Sequence, residues 1–241
     1  MKDENGLKGF AKLKNDMQGM TWKKKLEHLW TYYRWIPVVA VALVMLVALL
    51  VRSYININTE TLLSGVAINL EPDTVAHAFL TDEFQEKYTT GVRWEKTRLQ
   101  EVDLESFSET TDFQTNEYKR TSILALCAGK ELDYVLADEV GLQSMWPAGD
   151  TDDAFLELTE FFTEEEMAQF AAQDRLAYFK YQNEDTEDAR PMAVDVSGLP
   201  FIKEHFKGQF DGPVFFCVVI NTPRMEQVRT LWNDMNNWEA E

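Results

Sequence analysis

From Trp35 to Val51 the chain runs WIPVVAVALVMLVALLV, seventeen residues without a charge, bounded by Arg34 and Arg52. A helix rises about 1.5 Å per residue, so this stretch covers roughly 25 Å, at the short end of what crosses a hydrocarbon core. It is apolar on every face, whereas a helix of a small soluble domain keeps one polar side. The expectation is therefore a single membrane span, and the weaker alternative is a buried core helix. Pro37 falls in the first turn, where its missing N–H has no helical partner to lose.

The charge changes sign across this segment. Residues 1–34 hold eight Lys and Arg against four Asp and Glu, a net +4, while residues 52–241 hold fifteen against thirty-seven, a net -22. Basic residues near a span favour the cytoplasmic side, so the N-terminus is expected in the cytoplasm and the C-terminal part outside the cell. A domain this acidic repels nucleic acid and anionic lipid headgroups, which excludes nucleic acid as an expected partner. A cleaved signal peptide fits poorly: its basic region would be about 34 residues long, and no small-x-small cleavage pattern follows Val51. An uncleaved signal anchor in the cell membrane is the reading that remains.

The flanks match that reading. Residues 1–20 are short on apolar side chains, and residues 21–34, TWKKKLEHLWTYYR, place Trp22, Leu26, Leu29, Trp30 and Tyr33 at helical spacing. Lys23, Lys24 and Lys25 add charge where anionic lipid lies, each worth about 1 kcal/mol. The segment reads as an interfacial stem leading into the span at 35–51. Trp30, Tyr33, Arg34 and Trp35 line its inner boundary, Arg52 and Tyr54 its outer one. Residues 52–61 read as a stalk, and 62–241 as one folded domain.

Within that domain, strands and helices alternate. LLSGVAINL (62–70) reads as a buried strand, 72–88 as a helix, 92–103 as a strand, 116–130 as a helix ended by Gly129, and LDYVLADEV (132–140) as a third strand. Three strands separated by two helices predict βαβ units and an α/β fold, its sheet mainly parallel or mixed and flanked by helices. Further on, 141–146 reads as a short helix and 155–162 as a segment packing its aromatics inward. A helix begins at Thr163 with a capping-box spacing to Glu166. Residues 176–182 and 191–198 read as a hairpin, 199–206 as a short helix, 212–222 as the strongest strand former, and 223–238 as a closing helix.

Catalytic motifs are missing: there is no phosphate-cradling glycine loop, no G-x-S-x-G and no H-E-x-x-H. Asp150, Asp152, Asp153 and Glu157 resemble a calcium loop only loosely, with Phe155 where a glycine belongs. Neither a metal nor a cofactor is expected. Cys127 and Cys217 sit in apolar runs and read as buried hydrophobes, with a disulfide as the alternative. The strand ends draw more interest, because ligands of open parallel sheets bind beyond the carboxyl ends of the strands. Asp138 and Glu139 end the third strand, and Asp195, Ser197 and Gly198 end another; both sets are candidates to line one cleft. The competing reading is capping, by Asp138 of the helix after it and by Ser197 of the helix at 199–206, each worth about 1 kcal/mol.

The succession LDYVLADEV, FLELTEFFTEEEMAQF, PMAVDVSG and GPVFFCVVINTPRMEQVRTLW resembles the body of extracellular solute-binding proteins of the type 2 periplasmic-binding fold. The pattern spans residues 62–238, about half the family's usual length. The stem KKKLEHLWTYYRW before a span is similar to that of single-pass proteins of Gram-positive bacteria. The resemblance implies an extracytoplasmic binding module, which the span anchors in the membrane and the missing catalytic motifs set apart from an enzyme; its expected partners are the lipid bilayer and a small-molecule ligand or a membrane protein. The alternatives are a structural partner subunit of a membrane complex and, behind it, an envelope hydrolase.

Overall fold

The computed structural model describes residues 19–25, 27, 35–91, 94–104, 113–145, 154–180, 189–208 and 212–239. The chain divides into two units, Met1–Asn58 and Thr59–Glu241. In the first, α1 (Trp35–Asn58) contains one stretch, Val38–Ile55, long and apolar enough to cross a bilayer. Its side chains from Val38 to Val51 stand exposed, as an all-round apolar surface does when no described residue of the unit covers it. The helix outruns the uncharged stretch by seven residues, so most of the expected stalk at 52–61 is helical and only Thr59 precedes the first strand. Trp22 to Lys25 are helical, and Trp22 is exposed; Trp30, Tyr33 and Arg34 lie outside the described residues. Arg52 and Tyr54 are exposed on α1.

The second unit is α/β with a mixed sheet between two helical layers. It begins with β1 (Glu60–Ile68) and the three-residue β2 (Leu70–Pro72). Helix α2 (Thr74–Ala78) passes through a π turn (Phe79–Glu83) into α3 (Phe84–Tyr88). After β3 (Glu95–Val102) come α4 (Phe113–Ala128), β4 (Tyr134–Asp138) and α5 (Glu139–Met145). Then α6 (Leu158–Phe161), α7 (Glu164–Ala172), β5 (Leu176–Lys180) and β6 (Ala189–Asp195) follow. The chain closes with α8 (Pro200–His205), β7 (Phe206–Gly208), β8 (Val214–Val218) and α9 (Met225–Asn236).

The strand order is β3-β1-β4-β8-β6-β5, with β2 and β7 forming a separate two-stranded sheet. β1 pairs in parallel with both β3 and β4, as the two βαβ units require. β8 runs antiparallel between β4 and β6, and β5 returns antiparallel along β6. Thus β1, β3, β4 and β6 share one direction, and their carboxyl ends share one edge. The strong strand former at 212–222 yields the five-residue β8, and β8 and β5 are the two antiparallel strands that make the sheet mixed.

Alternating side chains feed two cores. One face carries Leu63, Ala67, Tyr134, Leu136 and Phe216 against α2, α3, α8 and α9. The other carries Val66, Ile68, Val135, Ala137 and Cys217 against α4 and α5. Both cysteines are free and buried in this second core, which settles the disulfide alternative against a bridge. Gly65 lies opposite Tyr134 in the register, and a Cβ there would meet the Tyr134 ring at 2.1 Å. The central strand therefore needs a glycine to let the tyrosine ring cross it. Thr163 and Glu166 form the predicted capping box, and Arg229 of α9 donates to Glu166 at 2.5 and 2.7 Å, tying α7 to the closing helix.

Candidate functional site at the carboxyl edge

The order β3-β1-β4 makes the β1/β4 boundary the point where the chain switches direction across the sheet, the usual place for a ligand crevice. There Asn69 follows β1 in a left-handed conformation (φ 56°). Its side-chain oxygen accepts from Leu104 N at 2.6 Å and its amide donates to Asp138 Oδ1 at 3.0 Å. Gly141 N also donates to Asp138 Oδ1 at 2.6 Å, so Asp138 caps α5. Asp138 is 1% exposed, and its Oδ2 has no hydrogen-bond partner. Burial pushes its carboxyl above the usual range, against the opposing pull of the Gly141 N–H and the Asn69 amide.

The other predicted residues do not join it in one cleft. Glu139 is exposed as the first residue of α5 and accepts from Gln143 at 3.2 Å. Asp195 shares the carboxyl edge but lies beyond β8, about 10 Å away at two strand spacings. Asp138 continues the alternation of Tyr134 and Leu136, while Asp195 pairs with Phe215 on the opposite face. Asp195 Oδ1 instead accepts from Ser197 N (2.8 Å) and Ser197 Oγ (2.5 Å), and Ser197 Oγ accepts from Val214 N at 2.7 Å. That is a local turn locked to β8. Ser197 does not cap α8, whose N-cap is Leu199 with no side-chain bond. Gly198 is exposed, and a Cβ there would meet nothing within 4 Å. The loose calcium loop at Asp150, Asp152 and Asp153 lies outside the described residues; among those that are described, no group of three or more His, Cys, Asp and Glu has metal-ligand geometry.

A site that the sequence did not disclose sits just past the same edge. β2 pairs antiparallel with β7, and Asp73 N donates to His205 O at 2.9 Å, bringing the residue after β2 against the last residue of α8. Asp73 caps α2: its Oδ1 accepts from Val75 N and Ala76 N, both at 2.9 Å. The His205 Nδ1 lies 2.9 Å from Asp73 Oδ2. The Ala76 N–H and then the His205 ring hold the Asp73 carboxyl below its usual value. An ionised carboxylate only accepts, so Nδ1 carries the proton and donates. His205 Nε2 is buried without a partner. The imidazole packs edge-on to Trp238 at 5.0 Å and against Phe201 at 5.8 Å.

Around this pair lies an open cleft of about 480 Å³, lined by Val75, Phe79, His205 and Trp238 and rimmed by Glu83, Glu204 and Glu239. The volume is that of a small-molecule site. Its residues come from α2, the π turn, α8 and the segment after α9, four elements whose meeting depends on the β2–β7 pairing. A second cleft of about 440 Å³ flanks the middle of β3, lined by Ser64, His77, Thr97, Arg98, Gln100 and Glu131 among others.

At the amino edge, Asp133 is fully buried and fully answered. Arg224 Nε donates to both carboxylate oxygens (2.9 and 2.8 Å), Ser64 N donates to Oδ2 at 2.7 Å, and Thr222 Oγ1 donates to Oδ1. With every acceptor used, this pair holds β1, β4 and the approach to α9 together and offers nothing to a ligand.

Searches of protein-family models, curated proteins and solved structures find no match to this chain.

Proposed function

We propose that the protein is a single-pass, membrane-anchored extracytoplasmic binding module, akin to a reduced solute-binding protein, which holds a small molecule in the carboxyl-edge cleft of Val75, Phe79, His205 and Trp238. The observation behind this is the cleft itself: about 480 Å³ with an aromatic wall and one Asp-oriented histidine, next to the small β2–β7 sheet. Val38–Ile55 supports the anchor, and the change from +4 to -22 across it supports a cytoplasmic N-terminus. The reading is of binding and not of catalysis, because His205 Nε2, the nitrogen that an Asp-oriented imidazole uses as a base, is buried, and no Ser, Thr, Cys or Lys lines the cleft among the described residues.

The test heats the full chain, in neutral maltoside micelles, with a panel of amino acids, sugars, organic anions and organic cations. A ligand near 100 times its Kd adds about 2.7 kcal/mol, which in a domain of this size raises Tm by roughly 5–10 °C. Protection by at least one class, lost in Trp238→Ala, supports the module. No protection by any class, with the stem and span alone recovering the same protein partners as the full chain, would favour the partner-subunit alternative. Protease added to intact cells is expected to digest residues 59–241, and their protection would overturn the orientation.

A further inference from the structure

Resting on the binding-module reading, we infer that the ligand of this cleft is an organic cation bearing an ammonium group. Glu83, Glu204 and Glu239 line the opening, all three are exposed, and none has an ion-pair partner among the described residues. Beside them the same cleft is lined by the half-buried Phe79 and Trp238 and the exposed Val75. No Lys or Arg lines the cleft among the described residues, although Lys203 and Lys207 flank the lining residues in sequence. Asp73 faces the His205 imidazole, so this pair is balanced even when the ring is protonated and leaves the rim net negative.

An apolar, aromatic wall under an acidic rim discriminates among ligand classes. A small inorganic cation gains nothing from Phe79 and Trp238. An anion meets three like charges, and a neutral sugar leaves the carboxylates unanswered. An alkylammonium fits both parts: its charge is attracted by the rim and by the indole face, and its carbon body covers the apolar wall. The domain's net charge of -22 concentrates such cations near the site.

The experiment labels the full chain with 5-fluorotryptophan in neutral maltoside micelles and follows the Trp238 fluorine resonance, assigned among the seven tryptophans by Trp238→Phe. Tetramethylammonium and spermidine are titrated at constant ionic strength beside glucose, citrate and phosphocholine. The expected result is a saturable Trp238 shift with the two cations. Affinity should fall about tenfold or more in Glu83→Gln/Glu204→Gln/Glu239→Gln, which removes charge at constant shape. Tm reports whether that variant is folded, and Phe79→Leu, with rim charges intact, should weaken tetramethylammonium as well. Tetramethylammonium binding more tightly than phosphocholine assigns a free cation; the reverse assigns the same ammonium to a lipid headgroup. A shift by glucose or citrate but not by the cations overturns the ligand class and leaves the module standing. No shift by any panel member overturns both.

Discussion

At the scale of single residues, the instructive positions are buried polar atoms whose needs are only partly met. Tyr134 is fully buried and its hydroxyl has no partner, because the ring is spent on crossing Gly65 and stacking on Phe216 at 5.9 Å. Burial raises its pKa well above that of a free phenol. Tyr134→Phe deletes the unanswered group and keeps the ring, so it is expected to stabilise the domain by about 1 kcal/mol in urea unfolding. Asp138 behaves differently, since one of its oxygens is used twice. Asp138→Ala removes the cap of α5 and strands the Asn69 amide, at a cost of about 2–3 kcal/mol; Asp138→Asn keeps the accepting oxygen and should cost about 1 kcal/mol or less. Equal losses in the two variants would show that the cap is not what Asp138 contributes. The sequence marked Asp138 as either cap or ligand contact, and only packing could decide between them. Asp73 is legible as a marker of its helix start, but nothing signals its pairing with His205, which lies 132 residues away and meets it through two three-residue strands too short for any periodic signal. Arg224 and Asp133 escaped for the same reason: nothing local to either residue predicts a partner 91 positions away.

Among the elements, those with long buried runs were readable and those set by long-range pairing were not. β1 and β4 are apolar on both faces because helices cover both, and that signature stands in LLSGVAINL and LDYVLADEV. The antiparallel insertion of β8 between β4 and β6 has no local signature, since a run of Val, Phe and Ile suits either direction. Helix ends show how a correct stop can rest on the wrong residue. The sequence points to Gly129 as the terminator of α4, yet the left-handed residue is Lys130, at φ 59°. Lys130 N donates to Cys127 O at 3.0 Å and Glu131 N to Leu126 O at 2.9 Å, the bond pair of a Schellman motif with Lys130 in the position that favours glycine. Asp174 takes the same place after α7, with φ 55°. A side chain there costs about 1 kcal/mol relative to glycine. Lys130→Gly is therefore expected to raise stability by about 0.5–1 kcal/mol, measured as a higher urea midpoint with an unchanged slope. A loss would mean that the flexibility gained by the unfolded chain outweighs the relief of strain.

For the whole molecule, acidity sets the terms of stability, and two effects of acidification compete. Three carboxylates are held below their ordinary values. The Ala76 N–H and the His205 ring act on Asp73, and the Thr89 hydroxyl and the Thr90 N–H on Glu95. For Glu166 burial pushes upward, but Arg229 and Thr163 together outweigh it. Such groups stabilise the fold above their unfolded values, 3.8 for Asp73 and 4.5 for the two glutamates, and lose that contribution as pH falls through the lower folded values. Asp138 has the opposite sign: its raised carboxyl favours the fold at low pH and disfavours it as pH rises through the folded value. Protonating a domain of net charge -22 also relieves its self-repulsion, which stabilises the fold on acidification. Salt separates these contributions, because repulsion between distant exposed charges is screened while short hydrogen-bonded contacts are screened much less. In about 0.5 M NaCl the relief is already spent, so Tm should fall from about pH 5 to about pH 3 more steeply than at low salt. Three shifted carboxylates lose in that window against one that gains, and the triple variant Asp73→Asn/Glu95→Gln/Glu166→Gln should flatten the decline. A Tm that rises toward pH 3 in high salt would mean that Asp138, and buried carboxyls like it, outweigh the three that are held ionised.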